Sequence, residues 1–143
     1  MVTVTRRAGK LVAIRIASPV TYREATTLKP RLEGLMGSMS APIYVVGDLS
    51  DARVYSPDVA EKILGALRMN WGTVHRMGIL VNPNSALGGQ LFQAFREAAD
   101  VERQAWVQRE GLIQHLGEVL GPVERDDLRE FLAEGEVHAS AGM

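Results

Sequence analysis

Residues 43–58 read Ile43-Tyr44-Val45-Val46-Gly47-Asp48-Leu49-Ser50-Asp51-Ala52-Arg53-Val54-Tyr55-Ser56-Pro57-Asp58. The first five are almost wholly apolar, with no polar residue on alternate positions. A strand of that composition must be covered on both faces, as a central strand between helical layers is. The segment ends with the opposite signal. Ser56 suits an N-cap, Pro57 the first helical position, and Asp58 the positive end of a helix dipole. Strand, loop and capped helix together make one β–α unit.

The flanks repeat this logic. Val2 and Val4 alternate with threonines, and Val12, Ile14 and Ile16 alternate with Ala13 and Arg15, so two strands are expected. Arg7-Ala8-Gly9-Lys10 turns between them, and Ser18-Pro19 ends the second. Thr21 and Glu24 have capping-box spacing. Behind them Ala25, Leu28, Leu32, Leu35, Met36 and Met39 form a helical stripe, in which Pro30 predicts a kink or an early break. A second stripe comprises Ala60, Ile63, Leu64, Leu67 and Trp71. Met77 to Val81 forms a further apolar strand ended by Asn82-Pro83-Asn84. A helix with Leu91, Phe92, Phe95, Ala98 and Ala99 then follows Gly88-Gly89. Residues 103–108 alternate and read either as an edge strand or as an extension of that helix.

Leu112, Ile113, Leu116, Val119 and Leu120 make another helix, which Gly121-Pro122 breaks. A last acidic helix spans 123–134, with Val123, Leu128, Phe131 and Leu132 as its apolar stripe. The order ββαβαβα followed by βαα predicts an α/β layered domain. Its mixed sheet begins with an N-terminal hairpin. The domain is expected over 1–120, with the acidic helix at 121–135 packed on it or on a partner, and a disordered tail at 136–143.

The chain has 143 residues and no cysteine, which excludes disulfides and thiolate metal sites. No apolar run reaches membrane-spanning length, and the N-terminus has no apolar core of a signal peptide. A cytoplasmic protein with no membrane partner is expected. Sixteen basic and 17 acidic residues nearly cancel, which disfavours nonspecific nucleic-acid binding. The near-neutral total hides a split: residues 1–116 carry 14 basic and 10 acidic side chains, residues 117–143 carry 2 and 7. Arg6, Arg7, Lys10 and Arg15 lack interleaved aromatics and read as a solvated face.

Little in the chain suggests catalysis. His75, His115 and His138 stand apart, without metal-ligand spacing. No phosphate-loop, dinucleotide-binding or nucleophile-elbow motif occurs. No catalytic residue, metal or cofactor is therefore expected. The loop holding Asn84, Ser85, Gly88 and Gly89 follows a strand and precedes a helix, so its amides either face an anion or form a plain turn. Asp48 ends a buried strand, where α/β sheets place functional groups. It either pairs with Asp51 or accepts loop amides and fixes the turn. Arg53 and Tyr55 look exposed and suit interface anchors.

Asp48-Leu49-Ser50 running through a loop into serine-capped Ser56-Pro57 resembles the STAS domain of bacterial anti-sigma-factor antagonists (SpoIIAA-like proteins). It also resembles the looser STAS/SEC14-like group. The element order over residues 1–116 agrees with this resemblance. It implies a non-catalytic module of bacterial signalling that binds a protein partner, such as a kinase-like anti-sigma factor or another regulator, or a second copy of itself. The surface it implies comprises Asp48, Ser50, Asp51, Arg53, Tyr55, Ser56 and Asp58 with the exposed face of the following helix. The family's phosphoacceptor motif is replaced. Ungapped from Asp48, its positions hold Ser56, Pro57, Asp58 and Val59, with proline at the acceptor. Ser56 then reads as a helix cap with its oxygen occupied by amides, or as a displaced acceptor. Asp58 reads as a dipole partner or a fixed imitation of phosphate. The SEC14-like relation implies the alternative of a lipid or small-molecule pocket.

Overall fold

The N-terminal strands β1 (Val2–Arg6) and β2 (Leu11–Ile16) form the expected antiparallel hairpin. Gly9 at its turn has φ of 59°, a left-handed value that suits glycine. A computed structural model describes residues 1–141 except positions 54, 70 and 99, with side chains as far as 136. Val54 of the loop, Ala99 of the helical stripe, the His138 side chain and the last two tail residues lie outside the described residues.

Five strands form one mixed sheet in the order β1-β2-β3-β4-β5, with β3 at Ile43–Leu49, β4 at Val74–Val81 and β5 at Arg103–Trp106. Only the β1–β2 pair is antiparallel. Each parallel step passes through a helix: α1 (Tyr22–Gly37), α2 (Pro57–Arg68) and α3 (Ala86–Ala98). These three bury Leu28, Leu32, Ile63, Leu67, Leu87 and Leu91 against Ile14, Ile16, Val45 and Ile79. On the opposite face α4 (Arg109–Gly117) and α5 (Pro122–Ala141) bury Leu112, Leu116, Leu128, Phe131 and Leu132 against Leu11, Ala13, Val46 and Leu80. Val45 thus enters one core and Val46 the other, which is why the central strand is apolar at successive positions.

Residues 103–106 are the edge strand of the two readings. Four local expectations need correction. Helix α1 runs unbroken through Pro30, which lies on its exposed face. Its capping box at Thr21 and Glu24 and its buried stripe hold the helix on both sides of the proline. Gly88 and Gly89 lie inside the first turn of α3 rather than before it. The tail expected to be disordered continues α5 to Ala141, because no proline interrupts it and glutamate and alanine favour helix. Val123, expected on the buried stripe, is 72% exposed at the helix's first turn.

The charge split has a structural meaning. Asp127 accepts hydrogen bonds from Arg7 Nη2 at 2.7 Å and from the Ala8 amide at 2.7 Å. Glu124 accepts the Lys10 amide at 2.8 Å, and Glu134 accepts Arg7 Nη1 at 3.1 Å. Arg15 donates to the Phe131 carbonyl and lies 4.0 Å from the centre of that ring. The hairpin arginines, expected to be a solvated face, include the two that seat the acidic helix. The hydrogen bond from Arg7 holds the Asp127 carboxyl below its usual range.

His115 on α4 is buried, with Nε2 donating to the Met77 carbonyl at 3.1 Å. Burial lowers its pKa below the ordinary value of 6.5. The unfolded chain therefore takes up the proton first as pH falls, and native stability drops with it. The thermal midpoint is expected to fall by a few degrees between pH 7 and pH 5.5, a window above most carboxylate titration. The slope should flatten in His115→Gln; an equal slope in both proteins would exclude His115 as its source.

Candidate functional site

Loops at the carboxyl ends of β2, β3 and β4 meet at one end of the sheet, where open α/β sheets place their sites. They are tied to one another. The Ser18 amide donates to the Asp51 carbonyl at 3.0 Å, and the Arg53 amide to Ser18 Oγ at 2.9 Å. Asn82 Nδ2 donates to the Ser50 carbonyl at 3.3 Å. Tyr55 Oη lies 3.0 Å from Ser85 Oγ and accepts the Leu87 amide. Two segments that the sequence offers separately, 48–58 and 84–89, are therefore one surface.

Asp48 is 3% exposed and turned into the chain. Its Oδ1 accepts the Ser50 amide at 3.1 Å and Ser50 Oγ at 2.6 Å. Its Oδ2 lies 3.7 Å from Arg15 Nη2. Of the two readings open for Asp48, this geometry is that of the turn-fixing carboxylate. Asp51 pairs instead with Arg53, whose Nε is 3.2 Å away.

Tyr55 is half-buried against the first core, so it is not the exposed anchor that the sequence suggested. Its hydroxyl caps the start of α3. Ser56 is exposed at the N-cap of α2 but makes no side-chain cap hydrogen bond, so its oxygen is not occupied as expected. Pro57 at the first position and Asp58 in the first turn start the helix without it. Asp58 is exposed and borders a groove of about 650 Å³ between α1 and α2, with Tyr22, Lys29, Lys62 and Met69.

The anion reading of residues 84–89 is not what the amides do. Asn84 N donates to Asn82 Oδ1 at 2.9 Å, Gly88 N to Ser85 Oγ at 3.1 Å, and Gly89 N to the Ser85 carbonyl at 3.2 Å. A helix N-terminus filled by its own serine and a neighbouring tyrosine offers no free cluster of amides. What faces outward is a polar notch of about 260 Å³ lined by Arg53, Asn82, Asn84 and Ser85. Arg53 and Asn84 are its exposed members.

Among the described residues, no group of three or more His, Asp or Glu side chains is placed to hold a metal ion. No helix among them is long and apolar enough to cross a membrane. A separate hollow of about 380 Å³ opens between α3 and β5, with Phe92, Phe95 and Ala105 beside Arg96 and Arg103. The sequence reading missed Arg15, Asn82 and Gly135 as neighbours of the loop. Arg15 alone carried a signal: it is the charged member of the otherwise apolar stripe Leu11, Ala13, Arg15. Compared with known proteins, the chain matches no family model and no curated protein.

Proposed function

We propose that this chain is a non-catalytic protein-binding module of the STAS kind, serving bacterial signalling or regulation from the cytoplasm. Its partner surface is the rim formed by Ser50, Asp51, Arg53, Ser56, Asp58 and Asn84. The observation that carries this reading is the cross-tying of three loops, which holds Arg53 and Asn84 outward on a fixed base while Asp48 and the α3 amides are used internally. A loop backbone held in place in advance pays little ordering cost on binding, which favours a specific protein contact through the exposed Arg53 and Asn84 side chains. The unengaged cap at Ser56 leaves its hydroxyl available at the same rim, and Asp58 adds a constant negative charge two residues on.

The test is affinity capture from the cell of origin with the wild-type chain and an Arg53→Ala, Asn84→Ala double variant. Both positions are exposed, so stability should stay within about 0.5 kcal/mol of wild type. Recovery of a specific partner is expected to fall at least tenfold. An unchanged set of captured proteins would remove this rim as the binding surface. Tyr55→Ala is unsuitable as the probe, because it would strip the cap from α3 and move Asn84 indirectly.

A further inference from the structure

We infer that the C-terminal helix sets the conformation of the partner loop through Asp48, so that seating or lifting the end of α5 regulates the proposed rim. This rests on the rim being the working surface. The two oxygens of Asp48 serve different elements. Oδ1 holds Ser50, the first residue of the loop, by its amide and its hydroxyl at 3.1 and 2.6 Å. Oδ2 faces away from the loop, toward Arg15 and the backbone of α5 at Gly135.

Gly135 is what allows α5 to come this close. A β-carbon built there would overlap Asp48 Oδ2 and stand 3.1 Å from Arg15 Nη2. Either the helix or the carboxylate must then move. Arg15 joins the same junction from below, donating to the Phe131 carbonyl one turn earlier in α5. The space left among Arg15, Ile16, Ala17, Asp48, Ser50, Asp51 and Gly135 is only about 10 Å³, about one water probe. A junction this closely filled transmits displacement, because packed elements shift between arrangements rather than deform smoothly.

When the end of α5 is seated, Oδ2 is covered and Asp48 is fixed in the rotamer that holds Ser50. When it lifts, water reaches Oδ2, the carboxylate can turn, and both bonds to Ser50 are lost together. Helix α5 continues six residues past Gly135 to Ala141. That extension gives a partner a lever on the junction without touching the loop.

The experiment is amide hydrogen exchange and ¹⁵N correlation spectroscopy on the full chain, comparing wild type with Gly135→Ala. Exchange at the Ser50 amide is expected to quicken at least tenfold, with resonance shifts at Ser50, Asp51 and Arg53 and little change in α1 and α2. Glu134→Gln, which weakens the pairing of α5 with Arg7 and Arg15 at an exposed position, should quicken Ser50 at least twofold. It serves as the readout if Gly135→Ala does not fold. Wild-type protection at Ser50 in a folded Gly135→Ala, or in Glu134→Gln, would overturn the coupling. The result is read in the isolated chain. A shifted Ser50 alongside unchanged capture by Arg53→Ala, Asn84→Ala would therefore leave the coupling standing and defeat the functional reading instead.

Discussion

Phe131→Ala is expected to lower the unfolding free energy by about 3–5 kcal/mol, the range for truncating a buried phenylalanine. Phe131 is 3% exposed and packs in the second core with Leu11, Ala13, Val46 and Leu80. Its ring also carries the guanidinium of Arg15 at 4.0 Å and that of Arg7 at 5.5 Å. Truncation would remove the apolar contacts and the cation–π surface together. The strands beneath it, β2 and β3, are each hydrogen-bonded to a neighbour on both sides and have little freedom to close the gap. Urea unfolding followed by circular dichroism gives the free energy. Tryptophan fluorescence adds a local report, since Trp106 packs against the second core and Trp71 against the first. Val123→Ala, exposed on the same helix, should stay within about 0.5 kcal/mol of wild type. A loss below about 1 kcal/mol for Phe131→Ala would mean that α5 is not seated on the sheet as described.

The parts of this arrangement that were legible in the sequence are those with a local period. Val45 and Val46 announced a two-sided strand because adjacent apolar side chains on a strand must enter different cores. The hairpin, the capping box and the serine-proline-acid start of α2 were legible for the same reason: each signal lies within a few residues of its effect. Pro30 misled because sequence spacing does not show that its side of the helix faces solvent. The Gly88-Gly89 pair read as a turn because nothing local shows that Ser85 and Tyr55 would cap a helix beginning at Ala86. The seating of α5 was beyond local pattern altogether. Asp127 meets Arg7 across 120 positions and Glu124 meets Lys10 across 114. Composition recorded only that one part was basic and the other acidic. The convergence of Arg53 and Asn84 likewise depends on the pairing of Asp48 with Leu80 and of Leu49 with Val81, which starts the two loops side by side.

Arg15→Ala carries the other large expected effect, about 3–5 kcal/mol, because it leaves the buried Asp48 carboxylate without its cation, held only by Ser50. The pair is not a strong bond in itself; the side chains are 13% and 4% exposed and the closest atoms are 3.7 Å apart. The cost arises from asymmetry. With arginine absent, the charge keeps its desolvation penalty and loses the cation that offset it. Removing both groups removes the penalty too, so Arg15→Ala, Asp48→Ala should be less destabilised than the sum of the single variants. The interaction energy should lie at about 1–3 kcal/mol, the range for groups in one network. The Phe131 contact gives the competing account. If Arg15 acted only by covering that ring, its effect would be non-additive with Phe131→Ala and additive with Asp48→Ala. Urea unfolding of the two double-variant cycles separates these cases. Additivity with Asp48→Ala would show that Arg15 holds the helix without holding the carboxylate, which would break the path from α5 to the loop at its middle link.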